Sequence, residues 1–278
     1  IMKALTMAAG LDAGVITPDT VYADSGCLTL NTKKICNYDL KARGTVPMQE
    51  ILSQSLNMGA TYISQQLGHQ RMRTYFTKLG FGTETGIDLP SEIRGDIKNL
   101  ESPRDVEFAT ASFGQGIATT PIATIRGLGA LANHGKIVTP HIATGIRLQS
   151  GVLKELSWGE PEQVFSPTAV DQTTRMLVKV VDDKLGGGNV KIPEMSVAAK
   201  TGTAQISGPD GKYYANLYHH SIFGYFPASD PKYIILLYTR KPQGVQYASE
   251  TLTDPLMDLT RFLINYYDVP PDRATYTQ

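Results

Sequence analysis

The chain has 278 residues, with 26 basic and 26 acidic side chains, zero formal net charge, 41% hydrophobic and 19% charged residues. That composition supports the buried core of one large or two small domains. Zero net charge without a basic stripe excludes a general nucleic-acid or anionic-membrane binder. The longest unbroken apolar run, Tyr233 to Tyr238, falls far short of the roughly 20 residues that span a bilayer.

Residues 1–10 read as a helix already in progress. No capping residue precedes Ile1, and Gly10 stands where a glycine ends a helix. A helix without a beginning implies that the chain continues before Ile1. Residues 17–44 are turn-rich and short-stranded. Within them the two cysteines, Cys27 and Cys36, flank a polar turn at residues 31–34. The pair reads either as a hairpin clipped by a disulfide or as two independent thiols, depending on the redox compartment. A helix is predicted from Val46 and Pro47, with proline in its first turn and Ile51, Leu52 and Leu56 at helical spacing. After Ser55-Leu56-Asn57 another runs through Tyr62, Ile63 and Leu67 to Gly68, and a third over residues 71–79, closed by Gly80.

Residues 81–116 read as loop, and residues 121–133 and 166–181 as helices. The last hundred residues change character: residues 196–200, 221–226 and 233–239 are extended, joined by turns at residues 208–211 and 228–231. They predict a three-stranded antiparallel meander. A closing helix carries Leu252, Leu256, Leu259 and Leu263, a stripe that should pack on the sheet. Helices first, strands later and a final helix define an α+β fold, an antiparallel sheet flanked by helices.

The chemistry concentrates at three places. Lys200-Thr201-Gly202-Thr203 stands on the first strand of the meander. Lysine supplies a fixed cation, the threonines hydroxyls, and Gly202 room for another backbone to approach. Ser55 and Asn57, two apart between helices, can both reach a cleft, although such a pair also caps helices in many chains. Lys3 lies on the opening helix, and the residue three before it is the one immediately preceding Ile1. S-x-x-K, an S-x-N-type element and K-T-G form the set used in serine acyl transfer by penicillin-binding proteins and class A β-lactamases. Here the second and third elements are present in order, and the first except for its serine. The five histidines form no HExxH pattern and no Cys/His cluster has ligand spacing, so neither a metal nor another cofactor is expected. Of His219 and His220 one reads as exposed and the other as facing the cleft or core, while Tyr213, Tyr214 and Tyr218 read as hairpin packing and Trp158 as a surface-loop anchor.

Taken together these residues resemble the class B penicillin-binding proteins, the peptidoglycan D,D-transpeptidases. The resemblance extends beyond the three motifs. Residues 1–5 look like the tail of a P-G-S-x-x-K segment, and residues 79–90 like an L-G-F-G-x-x-T-G-I-D-L-P stretch. Residues 112–116 with Thr120-Pro121 are similar to S-F-G-Q-G…T-P, residues 199–205 to the surroundings of K-T-G-T-A-Q, and residues 223–227 to the following strand. Ala199 departs mildly from the glycine common before that lysine.

The resemblance implies that residues 1–278 are an N-terminally incomplete transpeptidase domain, with part of the sheet, a pedestal domain and a membrane anchor preceding Ile1. It implies a serine immediately before Ile1 that attacks the carbonyl between two D-alanines of a peptidoglycan stem peptide. Lys3 would be its base, and Lys200 a cation that keeps Lys3 deprotonated. Ser55 would relay a proton to the leaving amine, and Asn57 would bind the substrate amide and help hold Lys3. Thr201 and Thr203, with Gly202 between them, would hold the donor's carboxylate, and the Thr203 N–H would complete an oxyanion hole. β-Lactams would acylate the same serine. The implied setting is the extracytoplasmic face of a bacterial membrane, beside a glycosyltransferase and division or elongation proteins; the S-x-N and S-F-G-Q-G elements favour the division branch. That setting also favours a Cys27–Cys36 disulfide. The rival readings are a D,D-carboxypeptidase or β-lactamase, which would need a glutamate such as Glu84, Glu92 or Glu101 at the site, and a non-catalytic β-lactam sensor.

Overall fold

The computed structural model describes residues 1–209 and 213–273. In chain order, α1 (Lys3–Asp12) is followed by four short strands, β1 (Val21–Asp24), β2 (Cys27–Leu30), β3 (Lys33–Cys36) and β4 (Gly44–Pro47). Then come α2 (Met48–Ser53), α3 (Asn57–Lys78), α4 (Asp105–Ser112) and α5 (Pro121–Ala132). Strands β5 (Lys136–Ile137), β6 (Gly145–Arg147), β7 (Leu153–Glu155) and β8 (Glu162–Gln163) form two small ribbons before α6 (Pro167–Asp183). The main sheet follows, β9 (Ala198–Ser207), β10 (Tyr213–Phe226) and β11 (Tyr233–Arg240), and α7 (Ala248–Tyr266) closes the domain.

Helix α1 is the centre of the molecule. Every residue from Lys3 to Leu11 is buried, which alanines and methionines allow because they present small or apolar surface on every side. It packs against α3 and α6, with α2 and α5 at its flanks. Gly10 does not end this helix. A Cβ there would lie 2.7 Å from Ile63 Cγ2 and 2.9 Å from Ile16 Cδ1, so glycine permits close packing and the helix continues to Asp12. The left-handed backbone comes four residues later, at Gly14 with φ 66°.

The main sheet has the order β11-β10-β9, all antiparallel, which leaves β9 as an edge. Alternate residues of β10 face opposite layers, as a strand requires. Phe223 and Tyr225 join the cluster around α1, whereas Ile222 and Phe226 join the one under α7. Leu252, Leu256, Leu259 and Leu263 all pack in that second cluster, so the leucine stripe does cover the sheet.

Three local expectations need correction. Val46 and Pro47 belong to β4, paired with Tyr22 and Val21 of β1, and the helix starts at Met48; proline ends the ribbon instead of opening the helix. Residues 81–116 are not all loop. They contain a 3₁₀ turn (Lys98–Glu101) and α4, whose eight residues mix alanine, threonine and serine without helical periodicity. The tight turn between β2 and β3 is Asn31-Thr32 alone, with φ 44° and 68°, and Lys33 and Lys34 are already in β3. Two left-handed residues match the twist of a two-residue hairpin. Cys27 and Cys36 face each other across it and are disulfide-bonded, with Cα atoms 4.1 Å apart. The helix interruption expected at Gly68 is present, with φ 73° and ψ 167° there. Asp210 and Gly211 of the predicted β9–β10 turn lie outside the described residues. No helix among the described residues is long and apolar enough to cross a membrane.

Candidate active site

Lys3, in the first turn of α1, points its ammonium towards the loop between α2 and α3. Its Nζ donates to Ser55 Oγ at 3.2 Å and lies 5.8 Å from the centre of the Phe113 ring. Burial, and after it the positive charge of Lys200, hold the Lys3 pKa well below the usual lysine range. Lys200 is 2% exposed, donates from Nζ to the Thr201 carbonyl at 3.0 Å, and is pushed by burial down to about 8. Among the described residues neither lysine forms an ion pair with a carboxylate. The site therefore holds one amine that gives up its proton well below the usual lysine range and one cation with no carboxylate partner.

The backbone explains why Ser55 is where it is. Helix α2 ends in a Schellman-type turn, in which the Leu56 N–H reaches back to the Ile51 carbonyl at 3.1 Å. That turn requires a left-handed residue just past the cap, and Ser55 occupies it with φ 56°. Leu56, fully buried, anchors the loop in the core. For a residue with a Cβ the left-handed conformation costs about 1–2 kcal/mol, and here it turns the hydroxyl towards Lys3. Asn57 opens α3 and donates from Nδ2 to the Cys36 carbonyl at 2.9 Å. No hydrogen bond joins Asn57 to Lys3, so the expectation that it helps hold Lys3 is corrected: the disulfide-closed hairpin already engages its amide.

Edge strand β9 forms the opposite wall. Lys200 faces Phe223 and Gly202 faces Ser221 across to β10, on the side of α1. A Cβ at Gly202 would stand 2.6 Å from the Ile1 nitrogen and 2.7 Å from Ser221 Oγ, so glycine is what lets the start of α1 touch this strand. Thr201 and Thr203 share the other strand face, Thr201 being paired with Ile222 under α7. The Ala248 N–H at the start of α7 donates to Thr203 Oγ1 at 2.9 Å, which fixes the acceptor side of that hydroxyl and leaves its proton available.

Sequence reasoning placed Lys3, Ser55 and Lys200 in one site, and the structure brings them together. It missed Phe113. Thr6 Oγ1 donates to the Ser112 carbonyl at 2.7 Å, and left-handed Gly114 lies against Met2, where a Cβ would be 2.9 Å from Cγ. These contacts wrap residues 112–116 around the start of α1 and put the Phe113 ring beside Lys3. Tyr38, two residues beyond Cys36, meets Tyr247, next to Ala248, edge to face at 5.8 Å. His220 is buried with both ring nitrogens engaged, by Thr251 Oγ1 and the Gln246 carbonyl, each at 2.9 Å. Trp158 donates to the Ala143 carbonyl and stacks on His141, as a loop anchor does.

An α+β domain with a buried lysine pair, a serine hydroxyl and a glycine-bearing edge strand around one cleft belongs to the serine acyl-transfer class. The chain is a member of the penicillin binding protein transpeptidase domain family, whose signature matches residues 1–258. It is 30% identical over 266 residues to stage V sporulation protein D of Bacillus subtilis, covering 92% of this chain and 40% of that protein. It is 27% identical to a peptidoglycan D,D-transpeptidase FtsI homolog of Mesostigma viride, covering 99% of this chain and 50% of the relative. The fold is that of penicillin binding protein 3 from Mycobacterium tuberculosis, solved in complex with ampicillin, with a TM-score of 0.88 and 25% identity over 99% of this chain and 63% of that one. The chain thus spans half or less of the curated relatives named here.

Proposed function

We propose that this chain carries the catalytic domain of a peptidoglycan D,D-transpeptidase that works through an acyl-serine ester and is inhibited by β-lactams. The observation that carries this reading is the buried Lys3 ammonium donating to Ser55 Oγ, beside a strand that touches the Ile1 nitrogen at Gly202. The nucleophile in this reading is a serine bonded to that nitrogen, one helical turn before Lys3.

The steps follow from the geometry. Neutral Lys3 takes the serine proton as the serine oxygen attacks the carbonyl of the penultimate D-alanine. The N–H groups of the serine and of Thr203 stabilise the oxyanion. Ser55, already hydrogen-bonded to Lys3, relays the proton to the amine of the departing D-alanine as the peptide bond breaks. An amine of a neighbouring stem peptide then attacks the ester, its proton passes back through Lys3 to the serine oxygen, and the new peptide bond forms. The Thr201 and Thr203 hydroxyls, on the face of β9 opposite Lys200, receive the donor's terminal carboxylate at the strand edge, with the Lys200 charge acting on it from the α1 side, and Asn57 receives the substrate amide.

Hydrolysis is disfavoured by how Glu92 is held. Glu92 accepts from Thr85 Oγ1 and from the Thr85 and Gly86 N–H groups, so its carboxylate is committed to its own loop and not to a deacylating water. The cellular role we infer is cell-wall synthesis outside the cytoplasmic membrane, beside a glycosyltransferase, and the S-x-N and S-F-G-Q-G elements support the division branch. The test supplies the full-length protein with a donor peptide ending in D-Ala-D-Ala and a D-amino acid acceptor. Release of D-alanine matched by incorporation of the acceptor is expected; release with water as the sole acceptor would overturn transpeptidation in favour of hydrolysis.

A further inference from the structure

Beneath the α2–α3 loop lies a buried polar cluster to which the proposed reaction assigns no role. Asp24, 2% exposed, forms no ion pair among the described residues, the Arg43 charge reaching it only at longer range. Its carboxylate accepts from the Tyr22 hydroxyl at 3.0 Å, the Gly26 N–H at 2.8 Å, and Asn37 Nδ2 at 2.9 and 3.1 Å. Asn37, 1% exposed, turns its other end outward from the cluster: Oδ1 accepts the Met58 N–H of α3 at 3.1 Å.

That N–H is one of the unpaired donors of a helix's first turn, and α3 lacks a capping side chain of its own because Leu56 occupies the cap. Asn37 therefore caps α3 from a different element. Two further contacts grip the same turn. Cys36, the residue before Asn37, accepts from Asn57 Nδ2, and the Tyr22 hydroxyl lies 2.7 Å from where a Cβ at Gly59 would be. Three consecutive residues of α3, Asn57, Met58 and Gly59, are thus indexed against the end of the hairpin and against β1. A buried carboxylate without a direct ion-pair partner is costly. Here it orients an amide whose opposite end holds the turn next to Ser55.

We propose that Asn37, oriented by Asp24, is a positioning residue: it fixes the first turn of α3 so that Ser55 and Asn57 stand in register with Lys3. The proposal rests on the transpeptidase reading of the site. Because Asn37 touches neither substrate nor Lys3, its effect runs through Asn57 and Ser55 and belongs to the acylation step more than to encounter with the ligand.

A double-mutant cycle on the full-length protein tests this, with benzylpenicillin as the probe and stopped-flow separation of pre-covalent binding from acylation. Asn37→Ala is expected to lower the acylation rate constant roughly ten- to a hundredfold, with the pre-covalent dissociation constant changed less than about threefold. Added to Asn57→Ala, it should produce little further loss. Acylation by Asn37→Ala at the wild-type rate, or a loss that multiplies in full with that of Asn57→Ala, would overturn the proposal. Asp24→Asn, which preserves the packing but turns an amide against the Asn37 amide, runs the same cycle with the same expectation and decides the matter if Asn37→Ala does not fold. A wild-type protein that benzylpenicillin does not acylate overturns the reaction itself, whereas a reactive wild type with indifferent variants overturns only the positioning role.

Discussion

Lys3 Nζ donates to Ser55 Oγ at 3.2 Å across a sequence separation of 52 residues. The bond joins the most buried helix of the domain to a left-handed serine held in place by a helix-ending turn. Both partners are expensive to hold, one as a buried amine and the other as strained backbone, and expense of this kind concentrates at functional sites.

Replacing Lys3 by methionine separates stability from chemistry. The Lys3→Met side chain fills similar volume without a desolvated amine, so the unfolding free energy should rise by about 1–3 kcal/mol, measured by denaturant titration. Acylation by benzylpenicillin should fall by roughly 10²–10⁴-fold. Unchanged acylation would remove Lys3 from the role of base.

The pH profile follows from two lowered pKa values. Acylation should rise with pH as Lys3 loses its proton below the usual lysine range, then decline above about 8 as Lys200 loses its charge. Stability has a definite sign as well. With Lys200 at about 8 when folded against 10.5 when free, the unfolded chain binds more protons in that window. Its contribution therefore stabilises the fold increasingly as pH climbs from about 8 to 10.5. Rate measurements between pH 5 and 10 check the first statement; a rate still climbing at pH 10 would contradict it.

Ser55→Gly should stabilise and inactivate together. Glycine adopts φ 56° without steric cost, for a gain of up to about 1 kcal/mol. Loss of the hydroxyl that accepts from Lys3 should slow acylation roughly 10²-fold. Thermal unfolding beside penicillin kinetics reads both numbers from one variant.

Gly202→Ala should do the opposite to stability. The added methyl meets the Ile1 nitrogen and Ser221 Oγ, overpacking that costs about 1–3 kcal/mol and moves α1 relative to β9. Acylation should fall roughly 10²-fold with the displacement, with denaturant midpoints reporting the strain.

Much of this was legible in the sequence, and the remainder was not for physical reasons. The meander, the leucine stripe of α7 and the α+β order follow from short-range periodicity, which neighbouring residues encode. Lys3, Ser55, Asn57 and Lys200 were recognisable because each sits in a compact motif. Cys27 and Cys36 could not be resolved from spacing alone, since nine-residue separation suits both a clipped hairpin and two free thiols. Asp24 and Asn37 carried no local signal, being 13 positions apart and meeting α3 only in three dimensions. Helix α4 lacked an apolar stripe because Val106, Phe108, Ala109, Ala111 and Ser112 are buried on several sides at once. Gly10 misled because a glycine required by helix packing looks, in sequence, like one that ends a helix.

The most direct test is mass spectrometry of the full-length protein after exposure to benzylpenicillin. The reading predicts a single adduct of one penicillin mass, mapped to a serine bonded to the Ile1 nitrogen and missing from Lys3→Met over the same exposure. An adduct on any other residue, or equal labelling of Lys3→Met, would contradict it.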